Sequence, residues 1–477
     1  MKQFKLMGDA YPRGTRHLVI TAKLGEKLGL SAGEEVQLQA GLGFAMKVKV
    51  TVGDRGDEEK AWLTKDLFTK LKLLPGLPLV VKFDCYQRIM EIGPVLGLFT
   101  TASPDGLKDK DPVRLLMELI RFGRGMSMLT YVFTVNGINW SKRTVKGYVY
   151  NFDTEVWTAR EFPLPNVVYD RIHSRRVETS KEVQTTKRRL WTLPTLKYFN
   201  PRFLDKWECH KLLWNVPEVK PYIPETQRYM SIDGLMSFLT RYSIVYLKPC
   251  KGSLGRGIMR IVRLGQNSFQ CKYRVGGTGN VVRIVKGRQG LSKIVRQIVG
   301  KKPYILQQGL RLQTLHKAPF DIRILMQKDH KGQWRRTKML ARVAQKGSIT
   351  SNISSGADAA LMRDVLRDVF HEDPKKPGGL GNRLRNMAEV VALALEQQTG
   401  VDWGELGIDV GVDIRGNIWL IEINSKPFKA METEKGSIEV IHNSVNRPLG
   451  YAKYLWKQAP IYHASEVSEE SPNNKQV

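Results

Sequence analysis

The sequence predicts a multidomain chain of mixed α/β and α+β class, in which a small pseudo-symmetric β-barrel precedes an α/β domain and a larger C-terminal domain carrying the chemistry. Three observations predict it. An internal repeat fills the first ninety or so residues, a β-α-β pattern opens at Glu91, and two strand pairs with unusual polar residues stand at 243–262 and 404–427.

The repeat is read from paired positions. Ile20, Thr21, Leu24, Leu28, Leu30, Gly33, Val36 and Leu38 recur as Leu63, Thr64, Leu67, Leu71, Leu73, Gly76, Leu79 and Val81, each pair 43 positions apart. Each copy reads as a strand end, a short helix, a Gly or Pro turn and a second strand. Neither copy can bury a face alone, so the two are expected to pair into one barrel over residues 1–90. No catalytic constellation lies there, which points to docking or assembly.

From Glu91, the run Ile92 to Phe99 reads as a buried strand, Pro112 to Phe122 as a helix and Leu129 to Val135 as a strand. An α/β domain over 91–199 follows. Trp157 to Arg171 is expected to be an extended connection, and the cations from Arg175 to Arg189 a solvated basic loop, because no aromatics for base stacking are interleaved with them. Asn200 and Pro201 fit an N-cap and first helical position for a helix carrying Lys206 and His210, and a further helix is expected after Thr226.

The first informative stretch is SIVYLKPCKGSLGRGIMRIV, Ser243 to Val262. A strand ends at Lys248, the loop holds Gly252, Ser253, Gly255 and Gly257, and a strand resumes at Ile258. Glycines let backbone N–H groups close on phosphate oxygens, with Lys248, Lys251 and Arg256 as counter-charge. It is not the usual P-loop, because no Gly-Lys-Ser/Thr opens a helix. Strands are also expected at Pro303–Leu310, Phe320–Met326 and Trp334–Ala344, with a polar loop holding Asn352 and an apolar helical stripe from Leu384 to Leu395.

The second stretch, Gly404 to Pro427, reads as a β-hairpin about the turn Asp413 to Asn417. Leu406, Ile408, Val410 and Val412 share one face. Asp409 lies on the other between Gly407 and Gly411, whose missing side chains leave room for a ligand. Asp409 and Glu422 are an odd number of positions apart, so an even-length loop sets them opposite each other. Two such acids and the amide of Asn424 are hard oxygen donors suited to Mg²⁺ or Mn²⁺.

Composition bounds the rest. The 477 residues are 42% hydrophobic and 26% charged, which excludes wholesale disorder, and the net charge of +30 favours polyanionic partners such as nucleotide phosphates. Cys85, Cys209, Cys250 and Cys271 lack metal-type spacing and are expected as reduced thiols. With no signal-like start and no membrane-length apolar run, a cytoplasmic protein is expected. The acidic tail over 461–477 reads as disordered.

In order, these features are a lysine helix, a Lys-Pro strand with a Gly-rich lid, Gln307-Gln308, Asp321-Ile-Arg323, Arg342 with Asn352, then Asp409 with Glu422-Ile-Asn424. That order resembles the ATP-grasp enzymes over roughly residues 200 to 450. Within them it is similar to the RimK-type glutamate ligases, and over nearly the whole chain to the endospore coat-associated YheC/YheD family.

The resemblance implies a pre-ATP-grasp α/β domain at 91–199 and an ATP-grasp fold at 200–460. It implies that Lys206 and Lys248 contact ATP phosphates under a lid of Ser253 and Gly255, and that Gln307, Gln308 and Leu310 border the adenine. Asp409, Glu422 and Asn424 would hold Mg²⁺ or Mn²⁺, with Arg323, Arg342 and Asn352 facing the transferred phosphoryl group. The acid usual for the ribose is not evident in Gly309 to Gln313.

The function implied is an ATP- and Mg²⁺-dependent carboxylate–amine ligase working through an acyl phosphate on a peptide, amino acid or acidic polymer, with spore-coat proteins as partners and deposition in the spore coat. The alternative is a non-catalytic coat protein using the same domain as a nucleotide-binding scaffold. A nucleic-acid binder would rest on net charge alone, and a kinase would leave a stable phosphorylated product.

Overall fold

A computed structural model describes residues 1–12, 14–53, 58–104, 110–252, 255–274, 279–344, 358–429 and 438–462. Its first unit is a closed seven-stranded barrel. The two repeat copies meet through their first strands, His17–Thr21 and Lys60–Leu63, which run antiparallel with Leu18 opposite Leu63 and Ile20 opposite Ala61. Each copy then gives a short helix and two more strands, and Lys2–Leu6 closes the ring against Leu79–Asp84. Leu24, Leu28, Leu67 and Leu71, the helical residues of the repeat, fill the barrel core.

The strand expected from Ile92 to Phe99 is two strands. A cis Gly93-Pro94 bond separates Ile89–Gly93, which belongs to the barrel, from Val95–Phe99, which begins the next sheet. In that sheet Val95–Phe99, Leu129–Phe133, Val167–Asp170 and Lys197–Phe199 are parallel neighbours. The expected connection between Trp157 and Arg171 is therefore mostly strand: Val156–Pro163 pairs with Thr144–Asn151, and Val167–Asp170 lies inside the sheet with every residue buried. Pro163 is the last paired residue of the first strand, and 164–166 separate it from the second.

The expected basic loop is a pair of helices, Arg175–Glu178 and Lys181–Trp191, capped by Ser174 and Ser180. Lys187, read as solvated, is buried and bonded to Asp170 (2.6 Å) and Glu178 (3.0 Å). The Lys110–Gly125 helix covers the sheet together with the last helix, Ile438–Gln458, whose Val445, Leu449, Ala452 and Leu455 share a core with Leu96, Leu98 and Leu119. The C-terminal helix thus packs on the second unit, and Lys82 of the barrel donates to the carbonyls of Trp456 and Ala459 at its end (both 3.1 Å).

The third unit places two antiparallel sheets face to face. The lid sheet has the order Thr226–Arg228, Tyr304–Gln308, Ile244–Pro249, Met259–Arg263, Ser268–Arg274, Asn280–Lys286, with helices Ile232–Arg241 and Gly287–Val299 packed on its back. The floor sheet has the order Asp358–Leu361, Trp334–Val343, Ala318–Lys328, Glu405–Val412, Ile418–Asn424, backed by the Leu380–Thr399 helix through Leu384, Met387, Val391 and Leu395. That stripe is core, as its spacing predicts.

Asn200 does not start a helix. Asp205 is the N-cap, accepting from the backbone N–H groups of Trp207 (2.9 Å) and Glu208 (3.1 Å), and the helix runs Lys206–Trp214. Asn200 is buried at φ 54°, a left-handed conformation that Asn tolerates. Its amide donates to the carbonyls of Glu405 and Ser425, and its oxygen accepts from the N–H groups of Gly404 and Glu405. One side chain thereby ties the two ends of the hairpin together. The stretch after Thr226 is first a strand, Thr226–Arg228, and only then the helix from Ile232.

Candidate functional site

Between lid and floor lies a cavity of about 400 Å³, of the size that takes a nucleotide. Lys206, Lys248, Gly255, Gln307, Gln308, Leu310, Arg342, Asp409 and Glu422 line it, so nine of the residues singled out from sequence meet in one place. Arg323 and Asn424 stand just behind, bonded to Asp409. Ser253 and Asn352 lie outside the described residues, as does the tail from Ser465.

On the lid side, Lys248 is the penultimate residue of the Ile244–Pro249 strand, its ammonium donating to Gln307 Oε1 at 2.6 Å. Gln307 in turn donates to Thr226 Oγ1 (3.1 Å), so it aims Lys248 rather than presenting a free amide. Gln308 Oε1 likewise accepts from the N–H of Glu225 (3.3 Å). Burial draws the Lys248 ammonium down to about 8, with Lys206 pushing the same way and Glu422 opposing. Gly255 and Gly257 turn the lid loop at φ 68° and 76°, and a Cβ at Gly257 would lie 2.9 Å from Tyr304 Oη.

Lys206 joins the two walls. From the first turn of its helix it donates to Glu422 Oε1 on the floor (2.8 Å) and to the Gly252 carbonyl in the lid loop (3.2 Å).

On the floor, Asp409 pairs directly with Glu422, as expected, but by another route. The turn 413–417 is odd in length, so Val410 opposes Leu420 and regular pairing would set Asp409 against Ile421; a β-bulge at Ile421 moves Glu422 into place. The flanking glycines also serve differently from the expectation. A Cβ at Gly411 would meet Leu312 at 2.8 Å and one at Gly407 would meet Pro427 at 3.2 Å, so the room they leave is filled by the chain itself.

Around Asp409 the charges form a chain. Arg323 is bidentate to it, with Nη2 to Oδ2 at 3.0 Å; Arg342 reaches it at 2.9 Å and is bidentate to Asp321 at 2.6 Å; Asn424 donates to it at 3.3 Å. Burial works against the Asp409 carboxylate, but Arg323 and Arg342 outweigh it and hold the group below the usual carboxylate range. Arg342 is correspondingly held above its ordinary value, against burial, by Asp409 and Asp321.

Sequence reading noted Asp321 on the strand face but gave it no part in the site. The signal was the two-residue spacing to Arg323, which puts both on the face that Asp409 pairs with. It also missed Tyr246, Arg260 and Lys272, which line the cavity from three adjacent lid strands and are visible in sequence only once the strand registers are known.

Among the described residues no three His, Cys, Asp or Glu side chains gather as a metal centre. The expected set is two acids and an amide. Its chemistry fits a hard divalent ion: Glu422 lines the cavity with its carboxylate met by one ammonium, Asp409 is held ionised beside it, and ions of this kind commonly complete their shell with substrate phosphates. Among the described residues seven cationic side chains line the cavity against three carboxylates, an excess suited to a polyphosphate. His210 lies between Trp207 and Trp214, with ring centroids at 5.4 and 5.0 Å.

The two facing sheets, the glycine-turned lid and the carboxylate hairpin lie within one stretch that a family comparison matches. Residues 195–455 match the family model described as YheC/D like ATP-grasp, which sets the domain in the ATP-grasp class. The chain belongs to the YheC/D-like ATP-grasp family.

Among curated proteins it is 28% identical over 404 residues to endospore coat-associated protein YheD of Bacillus subtilis (84% of this chain, 87% of that one). It is 27% identical over 296 residues to endospore coat-associated protein YheC of the same organism (62% and 79%). Among solved structures, a D-alanyl-alanine synthetase A from Vibrio cholerae is similar at 12% identity and TM-score 0.43, covering 75% of this chain and 99% of that one. VanG D-Ala:D-Ser ligase from Enterococcus faecalis is similar at 9% identity and TM-score 0.45, covering 76% and 99%.

Proposed function

We propose that the chain is an ATP- and Mg²⁺-dependent carboxylate–amine ligase that works through an acyl phosphate. The observation that carries this reading is the pairing of Asp409 with Glu422 on the floor of a cavity whose lid presents Lys248 and whose side wall presents Lys206. Phosphoryl transfer asks the protein for positioning and charge neutralisation more than for covalent chemistry. Lys206 and Lys248 would bind the phosphates, Gly255 with Ser253 would cover them, and Gln307, Gln308 and Leu310 would border the base.

Asp409, Glu422 and Asn424 would hold Mg²⁺ or Mn²⁺, which supplies charge neutralisation across the phosphates. Arg342 and Arg323, fixed by Asp321 and Asp409, would orient the γ-phosphoryl group toward a substrate carboxylate, and Asn352 is assigned to the same task. An amine then displaces phosphate from the acyl phosphate and forms the amide.

The two curated relatives are named endospore coat-associated, which supports deposition of this chain in the spore coat. A non-catalytic scaffold is the competing reading, and the unabsorbed barrel is what favours it. The test incubates the protein with Mg·ATP, pooled amino acids and spore-envelope peptides, follows ADP and phosphate, and identifies a new amide by mass. Release of both with a new amide supports the ligase; nucleotide binding with no ADP from any pool leaves the scaffold.

A further inference from the structure

From Gly234 to Phe320 the chain holds 17 Lys and Arg and no Asp or Glu, more than half of its net charge of +30. This segment carries five of the lid's six strands, helix Gly287–Val299 and all but the first two residues of helix Ile232–Arg241. Arg241 and Arg288 reach acids just before it, Glu225 and Asp233, the latter in the first turn of helix Ile232–Arg241. Concentrated like charge repels itself and raises the local concentration of anionic partners.

The charge is also arranged. Arg260 and Lys272 are direct cross-strand partners, and both line the cavity. Like charges set opposite each other weaken a sheet. Burial and Arg260 together lower the Lys272 ammonium from its ordinary value. Outward from Lys272 the same row ends at Val282 on Asn280–Lys286, the last strand of the sheet. On that strand Val282 and Ile284 are exposed, at 51% and 62%, and Lys286 shares their face.

Among the described residues no strand pairs with the outer side of 281–286, and the lid offers there an aliphatic strip and a cationic row that leads into the cavity. We propose that this edge binds an extended acidic polypeptide, pairing with its backbone along 281–286 while Arg260 and Lys272 draw one of its carboxylates toward the cavity.

An open edge pairs with a peptide main chain, and alternate side chains then meet the sheet face. Nucleic acid is the weaker match. Among the described residues the exposed large apolar side chains of the segment are Leu264, Val282 and Ile284, all aliphatic, and sequence-tolerant strand binding relies on aromatics for bases to stack on. The proposal names the substrate class of the ligase reading above and rests on that reading only in treating the drawn-in carboxylate as the phosphoryl acceptor.

The test is fluorescence anisotropy of the full chain with a labelled oligoglutamate peptide and no nucleotide, beside a single-stranded oligonucleotide of equal charge. The peptide is expected to bind more tightly than the oligonucleotide. Ile284→Asp with Lys286→Glu should weaken the peptide about tenfold, whereas Lys181→Glu with Arg188→Glu, on exposed sites of another unit, should not. Circular dichroism checks that both variants are folded.

No peptide binding, tighter oligonucleotide binding, or equal loss in the two double variants would overturn the proposal. Edge-dependent binding without any turnover upholds the docking surface and removes the ligase reading. Turnover on free amino acids without peptide binding does the reverse.

Discussion

Asp409 faces Glu422 because Ile421 is looped out of the ladder between them. The two carboxylates the chemistry needs are brought together by a defect in pairing, and the hairpin's own register would have kept them apart. Deleting Ile421 removes the extra residue and sets Glu422 directly after Leu420, still opposite Asp409 in an unbroken ladder, so both carboxylates keep the cavity face. Mg-dependent nucleotide binding, followed by calorimetry, should therefore survive the deletion; loss of binding in a variant whose far-ultraviolet spectrum stays close to wild type would show that pairing alone does not place the two acids.

Glu422→Gln keeps the shape and removes the charge. Its side chain is about a quarter exposed and makes one ion pair, so stability should change by no more than about 1 kcal/mol. ADP release should fall at least about a hundredfold, as for loss of a group that neutralises charge developing in the transition state. Turnover close to wild type would remove the metal assignment.

Arg342 lies between two buried acids, Asp321 and Asp409. Arg342→Met leaves both without their shared cation, and unfolding in urea should show a loss of about 3–5 kcal/mol. A loss below about 1 kcal/mol would mean that Arg323 alone satisfies Asp409.

Lys248 gives the site a pH dependence. Its folded pKa of about 8 is below the ordinary lysine value, so the ammonium is already being lost as pH rises through 8. For the free protein the sign is that burial disfavours the charged form, so this group costs stability below about pH 8, and the cost is relieved as pH climbs toward the unfolded value. Nucleotide affinity should run the other way and weaken above pH 8, because the phosphates need the cation. Lys248→Arg, which stays charged, should flatten that affinity profile; a profile unchanged by the substitution would assign the titration elsewhere.

Asn200→Ala removes four hydrogen bonds at a buried left-handed position, and thermal unfolding should report a loss of about 2–4 kcal/mol. Asn200→Gly relieves the backbone and still lacks the bonds. If glycine rescues fully, the side-chain bonds contribute little.

Much of the site was legible in sequence because its parts are local. Asp409, Glu422 and Asn424 sit on one hairpin, and Lys248 and the lid glycines on another, so period-two alternation and turn composition suffice to group them. What failed was long-range. Asn200 looks like a helix cap until Gly404 and Ser425 are beside it, and Lys187 looks solvated until Asp170 and Glu178 close over it. Arg260 and Lys272 carry no local signal at all, since only the register of neighbouring strands turns them toward the cavity. Glycine was misread at Gly407 and Gly411 for the same reason: sequence shows that space exists but not which distant side chain takes it.

The barrel is made before the last helix, yet its buried Lys82 meets neither the Trp456 nor the Ala459 carbonyl until those residues emerge, and Gln39 waits likewise for the Tyr462 carbonyl at 2.8 Å. The barrel is thus latched by a helix far along the chain, and until that helix has been synthesised Lys82 and Gln39 lack these partners. A chain cut short before Trp456 would keep the cavity's two sheets and lose the hydrogen bonds that tie the barrel to the last helix.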